Sequence, residues 1–136
     1  MPTSDLAHEW ILLQNQFDSY EKHSLLIKLL CVALYSYLWL AGNLFLICLV
    51  VVVLWGLDAI WKTYQNRIEI RLLAVEQSLL NDSSAPTAAF QFNSNYLRNR
   101  PSNIKLIREY LHQAARPTVV FPYLLLILVP LLGRII

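Results

Sequence analysis

The sequence predicts an all-α integral membrane protein organised around a transmembrane helical hairpin. Three observations support this fold class: two apolar runs of spanning length, a break of only two residues between them, and a charged fraction of 15%, against about a quarter in soluble domains. We divide the chain into an N-terminal amphipathic helix (1–24), the hairpin (25–61), a helical cytosolic segment (62–117) and a third, kinked transmembrane helix (118–136).

Residues 1–24 predict an amphipathic helix that leads into the membrane. Its apolar side chains recur at intervals of four and three residues, which places them on one helix face. They are Leu6, Trp10, Leu13, Phe17 and Tyr20. The polar face is too acidic for strong attraction to anionic lipid. The stripe is therefore interpreted as an internal packing surface or an interface-lying face, with a contact to a partner helix as the alternative.

The hairpin consists of two apolar runs, 25–41 and 44–61, with 17 and 18 residues. At about 1.5 Å per residue each covers roughly 26 Å, close to the thickness of the hydrocarbon core. A buried helix pair in a soluble protein is the alternative, but the run 44–55 has no polar face to meet water. Gly42 and Asn43 separate the runs, and both residue types tolerate the left-handed conformation that a sharp reversal needs.

Each apolar run carries one charge, Lys28 in the first and Asp58 in the second. They lie 14.5 and 15.5 residues from the centre of the turn, so antiparallel helices would bring them to nearly the same depth. A Lys28–Asp58 pair would spare each an unpaired charge in an apolar setting. Two alternatives stay open. Lys28 could reach the headgroups while Asp58 pairs with Lys62, or Asp58 could carry protons or ions.

The segment 62–117 predicts two helices joined by a loop. The first continues from the second span to Leu80, with apolar residues at 68, 72, 75 and 79. The second starts at Ser102 or Asn103, with apolar residues at 104, 107, 111 and 114. Residues 81–102 are expected to be loop, with docking of Phe90, Phe92 and Tyr96 on a helix. The two stripes predict that these helices pack with each other or with the N-terminal helix.

Residues 118–133 form a third apolar run, which is short but could span with help from its flanks. Pro122 and Pro130 are expected to kink it, because proline lacks the amide proton that the helix uses. A re-entrant or shallow segment is the alternative.

The basic residues predict the orientation. Ten of the eleven Lys and Arg flank the first span or lie between the second and third, and Arg134 follows the third. Since basic loops stay in the cytosol, the N-terminus and 62–117 are expected inside, with the turn and the C-terminus outside. The expected location is the plasma (inner) membrane, although the mitochondrial inner membrane fits the same residues.

The residues with chemical potential form no recognisable site. The three histidines lack metal-ligand spacing with each other or with Cys31 and Cys48, and the glycines form no phosphate-binding loop. We therefore expect no enzyme activity, cofactor or metal. The basic stretch 98–108 could meet RNA or anionic lipid, but topology retention explains it more simply, so nucleic acid is not an expected partner.

The leading functional hypothesis is an accessory or assembly subunit of a membrane complex. It would act through helix–helix contact with a protein partner or a second copy in the lipid bilayer. Its small size, bare external turn and paired apolar stripes motivate this hypothesis. The alternative is a small oligomeric pore-forming or membrane-permeabilising protein, holin-like or a defence effector. The kinked third span and the charges Lys28 and Asp58 motivate that alternative.

Overall fold

The computed structural model describes residues 2–80, 91–100 and 102–133, in which the regular secondary structure is helical throughout. The helices are α1 (Pro2–Ala41), α2 (Leu44–Leu80), α3 (Phe92–Arg98), α4 (Asn103–Ala114) and α5 (Pro117–Leu132). The all-α prediction is confirmed for this part of the chain. Both α1 and α2 contain a stretch long and apolar enough to cross a membrane.

The helices α1 and α2 run without interruption past the boundaries that the sequence suggested at 24/25 and 61/62. The amphipathic helix and the first apolar run form one helix of 40 residues, and the second run continues into one helix of 37. At about 1.5 Å per residue these helices are about 60 and 55 Å long, roughly twice the hydrocarbon thickness. Each helix therefore extends well beyond the part that lipid could cover.

The turn between α1 and α2 uses Gly42 and Asn43 in different ways. Gly42 has a φ of 70°, a left-handed conformation that glycine adopts without a Cβ clash. The Asn43 side-chain oxygen accepts a hydrogen bond from the Leu46 amide at 3.1 Å, which satisfies a free amide at the start of a helix. One residue thus ends α1 and the next begins α2, so the antiparallel register is set at the turn.

Two apolar clusters hold the long helices together. The inner cluster, nearer the turn, joins α1, α2 and α5 through Cys31, Leu38, Ile47, Val51, Leu54, Val119 and Tyr123. The outer cluster, far from the turn, joins α1 to α2 through Leu6, Leu13, Ile68, Leu72 and Val75. The N-terminal stripe is therefore a packing surface for α2, in line with the first interpretation of its periodicity.

Part of the predicted loop forms the short helix α3 instead. The loop prediction for 81–102 is wrong at Phe92–Arg98, because α2 provides contacts that the local sequence does not reveal. Phe92 packs against the outer cluster, and the Tyr96 ring centre lies 4.8 Å from the Arg67 guanidinium carbon. Phe92 and Tyr96 are four residues apart and so share one helix face. Phe90 lies outside the described residues.

A bend of 70° separates α4 from α5. It arises at Arg116, whose φ and ψ of −59° and 136° leave the helix, as expected for a residue before proline. The helix α5 then runs through both Pro122 and Pro130, so this sharp bend lies at its start and not at either proline. With 16 residues, α5 qualifies as a candidate span only together with α4.

The apolar stripe of α4 does not pack in a cytosolic bundle. Ile104, Ile107 and Leu111 are exposed, whereas Gln113 on the same helix is buried. The packing prediction is confirmed for the stripe of α2, which packs on the N-terminal part of α1. It is wrong for the stripe of α4, because the matching surface of α2 is already covered by α1.

Replacement of Leu13 by alanine is expected to lower the free energy of unfolding by about 2–5 kcal/mol, the usual cost of truncating a buried leucine. Leu12→Ala is the matched control, since Leu12 is 61% exposed and Leu13 only 6%. Thermal and denaturant unfolding in detergent micelles, followed by circular dichroism, measures both. Equal losses for the two variants would contradict the packing of α1 on α2.

Candidate functional site

Asp58 is the centre of a polar site enclosed by α1, α2 and α5. Its carboxylate is fully buried and lies 2.9 Å from Nζ of Lys28 through Oδ2. The Tyr123 hydroxyl donates to the same oxygen at 3.1 Å, and the Ser24 hydroxyl donates to Oδ1 at 2.5 Å. The structure thus places Lys28 and Asp58 in direct contact across the hairpin, with two further donors around the carboxylate.

Helical spacing and aromatic packing position the donors. Ser24 and Lys28 are four residues apart and share one face of α1, where Nζ of Lys28 also donates to Oγ of Ser24 at 2.7 Å. Tyr123 projects from α5 and stacks on Trp55, with ring centres 6.3 Å apart and an interplanar angle of 12°. Trp55 lies one turn before Asp58 on α2, so this stacking directs the tyrosine hydroxyl to the carboxylate.

The composition of the site fits a buried carboxylate that must be satisfied without water. Removal of a charge from water costs several kcal/mol, which is recovered only if the charge is paired and its remaining acceptor positions are filled. Here one ammonium group and two hydroxyls provide that compensation, and hydrogen bonds to a charged acceptor are stronger than neutral ones. Because the donors come from α1 and α5, the Asp58 carboxylate on α2 links all three helices by hydrogen bonds and an ion pair.

The contact between Ser24 and Lys28 has the composition of a serine–lysine hydrolase dyad, but its geometry is different. In such a dyad a neutral lysine would accept the serine proton. Lys28 instead forms an ion pair with Asp58, and the Ser24 hydroxyl donates its proton to that carboxylate. Ser24 is 1% exposed, so its oxygen is closed to a substrate in this conformation. The arrangement is suited to holding helices together.

Lys62 forms an ion pair with Glu21 and not with Asp58, the partner that the alternative interpretation predicted. Its Nζ lies 2.6 Å from Oε2 of Glu21 and donates to Oε1 of Gln65 at 2.9 Å. Gln65 in turn donates to Glu21 at 2.7 Å. The hydrogen bond from Lys62, followed by that from Gln65, lowers the pKa of the Glu21 carboxyl. The predicted Asp58–Lys62 pair is wrong, because Lys62 points across to α1.

Polar contacts continue along the two helices beyond Glu21. Arg71 donates to both carboxylate oxygens of Glu9, at 2.8 and 3.1 Å, which is the two-point geometry that favours arginine. Both residues are buried. Trp10 donates to Glu76 at 2.9 Å. Trp10 and Glu76 lie at nearly the same distance from the turn, whereas Glu9 and Arg71 differ by five residues, a gap that the long arginine side chain bridges. Both contacts are compatible with the antiparallel pairing of α1 and α2.

Sequence reasoning found Lys28 and Asp58 but missed Ser24 and Tyr123. Ser24 is signalled only by its spacing of four residues from Lys28, and Tyr123 by being the only hydroxyl residue between 119 and 133. Which helix Tyr123 faces could not be read from that pattern. Among the described residues, no three His, Cys, Asp or Glu side chains are grouped so that they could hold a metal ion.

No family model, curated protein or solved structure matches this chain. Its distinctive features are the buried site around Asp58, the two long helices and the apolar surfaces that they expose.

Tyr123→Phe is expected to lower the free energy of unfolding by about 1.5–3 kcal/mol, the usual contribution of a hydrogen bond to a charged group. The variant keeps the ring that stacks on Trp55 and removes only the donor to Asp58. Tyr37→Phe is the matched control, since Tyr37 is 71% exposed. Unfolding in detergent micelles measures the difference, and no difference between the variants would show that the tyrosine contributes through its ring alone.

Proposed function

We propose that this chain is an accessory or assembly subunit of a membrane complex, acting through helix–helix contact and without catalysis. The observation that carries the proposal is the aliphatic surface that α1 and α2 expose beyond the apolar runs. Ile11 and Leu12 on α1, and Ile70 and Leu73 on α2, each expose half or more of the side chain. Outside the bilayer these side chains would meet water, and grouped exposed apolar residues are typical of surfaces that bind another protein.

The buried polar site supports this proposal over a pore. Ionisable residues that serve an ion pathway face a bundle interior or a water-filled cavity. Asp58 is fully buried and Ser24 nearly so, and their hydrogen bonds lie within one copy of the chain. The charges of the apolar runs therefore serve the cohesion of the single chain, which fits a preformed subunit better than a channel lining.

The proposed topology has three spans in the plasma (inner) membrane, with α5 as the third. Tyr123 near the start of α5 contacts Asp58, and Pro130 near its end lies with Gly42 and Ile47 around a cavity beside the turn. At about 24 Å, α5 accordingly covers most of the depth of the hairpin. The distribution of basic residues supports a cytosolic N-terminus and 62–117 segment, with the turn and the C-terminus outside.

Thiol labelling of intact cells tests this orientation. A membrane-impermeant maleimide is expected to label Ala41→Cys at the turn in intact cells, and Asn15→Cys on α1 only after permeabilisation. The unsubstituted chain is the baseline, since Cys31 is buried and Cys48 half-buried. The reverse pattern would invert the topology, and labelling of both positions in intact cells would exclude the proposed crossing.

Copurification after mild solubilisation tests the subunit proposal. An affinity-tagged chain, expressed in its own cells, is expected to retain a stoichiometric partner or a second copy. Replacement of Ile70 and Leu73 by glutamine, or of Ile11 and Leu12, should reduce the retained partner about tenfold, because a loss of about 1.4 kcal/mol of apolar contact has that effect. Gln77→Asn and Asn15→Gln are control substitutions at exposed polar positions.

Two results would count against the subunit proposal. The first is a chain that purifies alone at every detergent strength, with circular dichroism showing intact helices. The second is a rapid, dose-dependent loss of membrane potential on expression in a bacterium, reported by a voltage-sensitive dye and abolished by Asp58→Leu. That second result would favour the pore-forming alternative and assign Asp58 a role in conduction.

A further inference from the structure

The helix α4 is amphipathic in the opposite sense to a helix of a soluble bundle. Its apolar residues Ile104, Ile107 and Leu111 are 81%, 59% and 65% exposed. Its polar residues Glu109 and Gln113 turn toward α2, where Glu109 binds Arg67 at 3.3 Å and Gln113 is buried. A helix that directs polar groups to its neighbours and aliphatic groups outward requires an apolar medium on its outer side.

The position of α4 brings its outer side to the edge of the proposed bilayer. Trp55 on α2 donates its indole hydrogen to the carbonyl oxygen of Ala114 at 3.1 Å, whereas Glu109 contacts Arg67. The helix α4 therefore contacts α2 on both sides of residue 61, where the second apolar run ends, which is the interfacial level of the proposed bilayer. The helix α5 runs along the hairpin, and α4 is bent by 70° from it while staying packed on α2. In the proposed topology α4 is therefore closer to the membrane plane than to the membrane normal.

The charges of α4 complement a lipid surface. Lys105, Arg108 and His112 are exposed, and at about 100° per residue they occupy the arc beside the three aliphatic residues. The acidic residue of the helix, Glu109, is directed inward to Arg67. The outer side of α4 is therefore aliphatic with a basic edge, the combination found in helices that lie in a membrane interface.

We propose that α4 is an interfacial helix that binds the cytosolic leaflet. Ile104, Ile107 and Leu111 insert at the boundary between headgroups and acyl chains, and Lys105 and Arg108 contact anionic phospholipid headgroups. A lipid surface is favoured over a protein groove because the aliphatic arc lies at the interfacial level of the proposed bilayer, and because α5, which follows α4 directly, also exposes apolar side chains such as Phe121. The inference rests on the membrane insertion that the proposed function requires.

Spin-label accessibility in vesicles tests this inference with the full chain. Nitroxide labels are placed by Ile107→Cys on α4, by Asn15→Cys at an exposed polar position of α1 and by Val52→Cys within the second apolar run. The chain is reconstituted in phosphatidylcholine with and without phosphatidylglycerol. The ratio of accessibility to oxygen over accessibility to a water-soluble nickel complex is expected to be several-fold higher at 107 than at 15. The ratio at 52 should be higher still.

The anionic lipid component has its own readout. Phosphatidylglycerol is expected to raise the ratio at 107, and replacement of Lys105 and Arg108 together by glutamine should remove that increase. The same two substitutions should leave the ratio at 52 unchanged. An increase that persists in the substituted chain, or no increase in either chain, would overturn the role of the basic residues.

The three labels distinguish failure of the interfacial position of α4 from failure of membrane insertion. A water-like ratio at 107 with a lipid-like ratio at 52 overturns the interfacial position of α4 and leaves membrane insertion intact. Water-like ratios at both positions overturn the insertion on which the proposed function depends. Protection of 107 from both reagents, with spin–spin broadening, would assign the aliphatic arc to a contact with a second copy and also overturn the inference.

Discussion

The satisfaction of one buried carboxylate constrains the arrangement of the apolar helices. Asp58 is fully buried, so its charge and its acceptor positions must be met by other residues of the chain. Lys28 and Ser24 can do so only if α1 and α2 keep one register, and Tyr123 only if α5 packs at one depth and rotation. Apolar packing alone would tolerate small shifts between these helices, whereas short hydrogen bonds to a single carboxylate do not.

The same register extends along the full length of the α1–α2 pair. The turn sets the register at one end of the pair. Farther from the turn, the contact of Glu21 with Lys62 and then that of Glu9 with Arg71 join the two helices in the same antiparallel arrangement. The exposure of these contacts varies along the pair, since Glu21 is exposed whereas Glu9 and Arg71 are buried. Near the turn the interface is aliphatic, whereas farther out it combines aliphatic residues with ion pairs. One helix pair can therefore be continuous across two different environments.

The sequence predicts the long helices, their pairing and the position of α4, but it predicts neither α3 nor the contacts that α4 and α5 make. Length, hydropathy and the Gly42–Asn43 break predict α1 and α2, and counting from the turn brings Lys28 to Asp58. The helix α3 is not predicted, because it depends on contacts of Phe92 and Tyr96 with α2 that local composition does not encode. The apolar residues of α4 recur at helical spacing, which predicts an apolar helix face. The spacing does not tell whether that face contacts protein or lipid. The partner of Tyr123 likewise depends on the placement of α5.

The absence of a break in α1 and α2 at the predicted membrane boundary has a mechanical consequence. Two helices packed together and free of a hinge behave as a stiff rod, and rods of this kind tilt to match the thickness of the bilayer around them. Over about 55 Å, a change in tilt of about 10° moves the far end of α2 by about 10 Å. In the proposed topology, local thinning or thickening of the lipid would displace laterally the surface that carries Ile70 and Leu73.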